Sequence, residues 1–157
     1  MIQPWMVIGG VTSVVALGTF LFRPRDIFWA ARLDRPNWLF FEPAIPFIWT
    51  VIFICGAASA VVAWQQDPGS LQTWLLMALY LLVEVLTVSY IPATLRTRSL
   101  AVGTALGGAG FVLGVVLTFL VWPSSNLAAL LLLPYLLWSP IGTYTTGRMI
   151  DLNPEAV

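Results

Sequence analysis

The stretch from Leu100 to Trp122 reads LAVGTALGGAGFVLGVVLTFLVW and carries no charged residue. An α-helix rises about 1.5 Å per residue, so a run of this length crosses a hydrocarbon core about 30 Å thick. Inside that core only a helix or a closed barrel satisfies its own backbone polar groups. Working outward, four further runs have the same character: Pro4 to Phe22, Ile45 to Trp64, Leu71 to Ile91 and Leu127 to Thr146. Of the five, only the run from Leu71 holds an ionisable side chain, Glu84. The fold expected is therefore all-α, an integral membrane bundle of five transmembrane helices. Its helices fall at about 4–22, 45–64, 71–91, 100–122 and 127–146, in a single domain covering 1–157.

Composition agrees. The 157-residue chain is 59% hydrophobic and 9% charged, against roughly one-quarter charged residues in soluble domains. It is too short to add a soluble module to such a bundle. Net charge is zero, and no basic run is interleaved with stacking aromatics outside the apolar segments, so nucleic acid is not expected as a partner. There is no His, and Cys55 is the one cysteine. Those absences remove imidazole bases, His-ligated metals, Cys–His nucleophile pairs and intrachain disulfides; no metal site is expected.

The joints between runs are short, except for residues 23–44. That loop sets Phe28, Trp29, Trp38, Phe40 and Phe41 among Arg and Asp residues, as an amphipathic segment lying along the membrane surface would. The first run has its basic residues, Arg23 and Arg25, behind it and none before it, so a retained helix is expected and not a cleaved leader. All seven arginines fall in the first loop, the third loop or after the last run, which five alternating spans place on one side. Basic residues are kept cytoplasmic, so the N-terminus is expected outside and the C-terminus in the cytoplasm, with a bacterial inner membrane as the default. Trp5, Trp64, Trp74 and Trp122 cluster at the arginine-free ends, where an interfacial aromatic belt belongs.

Three features inside the spans call for a role. Trp49 and Trp138 lie away from the belt, and an intramembrane indole N–H needs a partner; they either pack the bundle or line an aromatic pocket with Tyr80, Tyr90, Tyr135 and Tyr144. Glu84 sits where a charged carboxylate costs several kcal/mol, so it is expected neutral at pH 7, either as a proton relay or as a carboxyl hydrogen-bonded to a neighbouring helix. Gly103, Gly107, Gly110 and Gly114 let helix backbones approach closely, at a homodimer seam or within one chain.

The segment WAARLDRPNWLFFEPAIPFIWTVIFICGAASAVVAW, Trp29 to Trp64, resembles the TspO/MBR (tryptophan-rich sensory protein/translocator protein) family. The family's W-x3-L-x-[KR]-P-x-W element is matched by Trp29, Leu33, Arg35-Pro36 and Trp38. Its V-W-T is matched by Ile48-Trp49-Thr50, and its Gly-small-Ser stretch ending in V-W by Gly56 to Ser59 and Trp64. Leu79-Tyr80, Pro134-Tyr135-Leu136-Leu137-Trp138 and Leu152-Asn153 extend the similarity over nearly the whole chain. Four departures stand out. Phe40-Phe41 replaces Pro-Pro, Leu86-Thr87-Val88-Ser89-Tyr90 replaces L-N-x-x-W, Thr145-Thr146 replaces L-N, and Glu84 has no counterpart.

The resemblance implies a receptor or carrier that binds porphyrin or a related tetrapyrrole between the helices, under the first loop, in stress or tetrapyrrole regulation. The ligand-binding residues expected are Trp29, Arg32, Arg35, Trp38, Trp49, Phe53, Thr87, Tyr90, Tyr135, Trp138 and Gly142, with Arg32 or Arg35 meeting the ligand's carboxylates. No cofactor is required and no catalytic residue is expected. Without His, axial ligation of haem iron would fall to Tyr, Met or Cys55, so a metal-free ring fits better. Two alternatives stand beside this reading. One is a proton-coupled transporter using Glu84, against which the chain lacks inverted repeats. The other is a light-dependent porphyrin-degrading enzyme with Trp49, Tyr90 or Trp138 as redox-active side chains.

Overall fold

A computed structural model describes residues 3–157. Its helices are α1 (Pro4–Leu17, prolonged by a 3-10 turn Gly18–Phe20), α2 (Pro24–Ala31), α3 (Ile45–Gln66), α4 (Leu71–Thr97), α5 (Leu100–Val121), α6 (Asn126–Leu131) and α7 (Leu133–Leu152), with no strand among the described residues. The ends follow local chemistry. Pro4, Pro24, Pro46 and Pro134 sit in first turns, where a missing N–H breaks no helical bond. The tight joints carry serine caps: Ser70, Ser99 and Ser125 accept from the backbone N–H of Thr73, Val102 and Ala128 at 3.1, 3.2 and 3.2 Å.

Four helical units, Glu42–Gln66, Leu71–Thr97, Leu100–Val121 and Asn126–Leu152, are long and apolar enough to span. The fifth, Pro4–Phe20, is at the short end of the ~17–25 residues that a spanning helix needs. The molecule is thus a five-helix membrane bundle. Val14, Phe47, Phe119 and Leu137 point outward with 68–73% exposure, and lipid solvates such a face as well as a core would.

Three boundaries differ from those read in the sequence. The helix begun at Leu71 runs on through Pro92 to Thr97, because the end of the apolar run marks the end of the hydrocarbon and not of the helix; Glu84 thereby falls at the middle of α4. The last span is broken at Leu132 and continues to Leu152. Pro134 has no N–H to give to the preceding turn, and Leu132 N–H turns to the Ala129 carbonyl at 3.1 Å. Third, part of the first loop is helical: α2 leaves α1 at 68°.

The helix α5 is central, packed between α4 and α7. Its glycines are used within the chain. A Cβ at Gly103 would meet Thr94, one at Gly107 would meet Thr143, and those at Gly110 and Gly114 would run into the Tyr135 ring. The core at this junction joins Ile52, Val83, Leu117, Val121, Leu132 and Tyr135.

Candidate functional site

A partly enclosed cavity of about 480 Å³ lies between α1, α3, α4, α5 and α7. It reaches from Pro4, Trp64 and Trp74, at the arginine-free end, to Thr12, Glu84 and Thr87 near mid-depth. Trp64 and Trp74 meet edge to face at its outer end, ring centroids 4.9 Å apart. The walls are almost wholly apolar: Val7, Ile8 and Val11 from α1, Ile52, Phe53, Gly56, Ala57 and Ala60 from α3, Met77 and Leu81 from α4.

Most polar groups on this wall are already committed. Ser59, fully buried, donates to the Ala128 carbonyl at 2.7 Å, and that carbonyl is free to accept because the helix breaks one turn later. With the serine proton used, Tyr80 must be the donor in its 2.6 Å contact with Ser59 Oγ. Thr87 donates to the Val83 carbonyl at 2.8 Å and lies 3.3 Å from the Tyr135 hydroxyl. Glu84 is the exception. Thr12 faces its carboxyl across the cavity, yet its Oε1 is buried with no hydrogen-bond partner among the described residues.

Of the residues expected to bind ligand, Phe53, Thr87 and Tyr135 line this cavity, as does Glu84. The others lie elsewhere. Trp49 packs on the core and on Phe53, with ring centroids 6.1 Å apart. Trp138 also packs on the core and is covered by Phe41, ring centroids 6.1 Å and planes 70° apart. Trp38 lies over Tyr144 with centroids 6.3 Å apart. Phe41, where the family pattern has proline, therefore fills space beside Trp138 that a bare loop would leave open. Tyr90 is hydrogen-bonded to Thr146, so two of the departures from the family pattern meet and satisfy one another. Gly142 has open space where a Cβ would be. Trp29 is half-buried on α2, and Arg32 is exposed at its end. Arg35 is held within the loop, donating to Glu42 Oε1 at 3.0 Å and to the Leu33 carbonyl at 3.2 Å. No arginine lines the cavity.

The residue that pins the first loop is not among those expected from the sequence. Asn153, 2% exposed, accepts from the Asp34 N–H through Oδ1 at 2.8 Å and donates through Nδ2 to the Asp34 carbonyl at 3.0 Å and the Met149 carbonyl at 2.8 Å. One amide thus ties the first loop to the end of α7. The signal was present as Leu152-Asn153, an asparagine just past a helix end, but its partner is 119 residues away. Ser59 likewise reads in the sequence only as part of a small-residue stretch.

Known proteins share this arrangement of sequence. The chain is 27% identical over 133 residues to the tryptophan-rich protein TspO of Bacillus cereus, covering 83% of this chain and 84% of that one. It is 28% identical over 137 residues to the uncharacterized membrane protein YtaB of Bacillus subtilis, covering 85% of each. The pattern of one family matches residues 6–151, which include nearly all of each span, the first loop and all the walls of the cavity but Pro4. By that match the chain belongs to the TspO/MBR family.

Proposed function

We propose that this protein is a membrane receptor or carrier for a flat, largely apolar tetrapyrrole of the porphyrin type, held in the cavity between α1, α3, α4 and α7 without turnover. The observation that carries the reading is the cavity itself. At about 480 Å³ it falls in the ~300–1,000 Å³ range of ligand sites and has their composition, apolar and aromatic with few polar groups. Phe53, Tyr80 and Tyr135 offer ring faces and edges to a planar ligand. Among the described residues the lining has no cation, so the ligand's carboxylates point to water past Trp64 and Trp74. A metal-free ring suits it better than haem, because the chain has no His. Titrating the purified protein with protoporphyrin, first dark and then illuminated, is expected to give saturable binding and no new absorbing product. A product that needs the protein would favour the degrading enzyme, and absence of saturation would remove the receptor.

A second reading, the proton-coupled carrier, draws on Glu84 and its unpartnered oxygen. It requires that Glu84→Gln abolish a proton-dependent flux in vesicles, whereas the receptor reading has the folded variant still bind in the same titration.

We also assign the arginine-bearing end to the cytoplasm, with the N-terminus outside, and the default membrane is the bacterial inner membrane. The support is that all seven arginines and none of the belt tryptophans belong to that end. In a Cys55→Ser background, single cysteines at Gln66 and Thr97 are expected to differ in intact cells: an impermeant thiol reagent labels Gln66 only. Labelling of Thr97 alone would reverse the orientation.

A further inference from the structure

We infer that the recess formed by Arg23, Arg25 and Arg96 binds the phosphate of an anionic phospholipid, whose chains lie on the apolar side chains beside it. Two distant segments build the recess. The start of α2 is stapled by Asp26, 4% exposed, whose Oδ2 accepts from the Arg23 backbone N–H at 3.0 Å. Packing of α2 on α4 brings Arg23 and Arg25 toward the last turn of α4, where the continuation past Pro92 carries Arg96 out of the hydrocarbon. Arg23, Arg25, Asp26 and Arg96 enclose about 280 Å³.

Three guanidinium groups against one carboxylate leave a net charge of +2 there. Asp26 opposes an incoming anion, but one of its oxygens is occupied by the backbone and the other lies 3.9 Å from Arg25 Nε. Arg23 and Arg96 have no ion-pair partner within 4 Å among the described residues. Guanidinium forks match phosphate oxygens, and basic pockets at the ends of membrane helices recognise anionic headgroups.

Exposed apolar side chains close in sequence to Arg23 and Arg25 distinguish a lipid from a free phosphate. Phe20 and Leu21, at the end of α1, are 69% and 62% exposed, and Ile27 and Phe28 on α2 are 49% and 69% exposed. A cationic recess with exposed apolar side chains flanking it in sequence has the two-part chemistry of a phospholipid at the interface. A soluble anion would use the arginines alone.

The test is lipid retention by the full chain in detergent micelles, read by native mass spectrometry with phosphatidylglycerol or phosphatidylcholine added. The parent is expected to retain phosphatidylglycerol about tenfold more than phosphatidylcholine, with no displacement by millimolar inorganic phosphate. Arg23→Gln/Arg96→Gln should remove the preference, while Arg148→Gln, at an arginine paired with Asp151 outside the recess, should keep it. Should the double variant not fold, Arg96→Gln alone is expected to lose part of the preference and Arg96→Lys to keep more of it. Equal retention of the two lipids by the parent, an unchanged preference in the folded arginine variants, or displacement by phosphate would each overturn the assignment.

Discussion

Replacing Gly114 with valine is expected to prevent the bundle from closing. A single carbon added at that position would stand 2.5 Å from Cε1 and 2.9 Å from Cδ1 of Tyr135. Both are atoms of a rigid ring that is 7% exposed. Gly110 hems the same ring from the next turn of α5, where a Cβ would be 2.7 Å from the hydroxyl. Forcing extra carbon into such a seam costs about 1–3 kcal/mol where the structure can adjust. Gly114→Ala is expected to lose that much, and Gly114→Val, with two methyls more, to leave no folded, monodisperse protein in detergent. Gly108 provides the contrast on the same helix, since a Cβ there has open space. Gly108→Ala should leave the melting temperature unchanged or raise it, as alanine favours a helix over glycine by about 0.5–1 kcal/mol. If the clash is the cause, Gly114→Ala with Tyr135→Leu will lose less than the sum of the two single changes. Additive losses would mean that the glycine acts in some other way.

What could be read in the sequence divides along the range of the forces involved. The spans follow from apolar run length against bilayer thickness, and the grouping of arginines at one end from their parity along five spans. The spans agree with the folded chain apart from their ends. The continuation of α4 to Thr97 was hidden because hydropathy reports the solvent and not the backbone. The break at Leu132 had a local sign in Pro134, but its consequence, a carbonyl freed for Ser59, spans two helices.

The site was less legible for the same reason. Trp49 and Trp138 stood out as aromatics deep in the spans, but whether such a ring lines a cavity or fills one depends on what lies across from it. For Trp138 that is Phe41, delivered by a loop clamped through Asn153. Thr87 and Tyr135 were marked separately, and only the fold brings their hydroxyls to 3.3 Å. Tyr90 and Thr146 read as two independent departures, yet they are one hydrogen-bonded pair. Glu84 was conspicuous in the sequence because an acid amid apolar residues needs no partner to be noticed, and its Oε1 has none among the described residues.

In the proposed function the ligand occupies the cavity between α1, α3 and α4 and not the loop-covered aromatic cluster around Trp138. Gly56 allows the two to be separated. It lines the cavity, and a Cβ built on it meets nothing within 4 Å, so a large side chain can enter the space without disturbing the helix. An indole brings about 150–250 Å² of its own surface and would displace a planar ligand from the wall it needs. The measurement is the affinity of Gly56→Trp for protoporphyrin, by optical titration in detergent, beside the parent and Trp5→Phe, a belt residue outside the cavity. The expected result is a fall of about a hundredfold, equivalent to ~2.7 kcal/mol, for Gly56→Trp and none for Trp5→Phe. A folded Gly56→Trp protein that binds as tightly as the parent would contradict it.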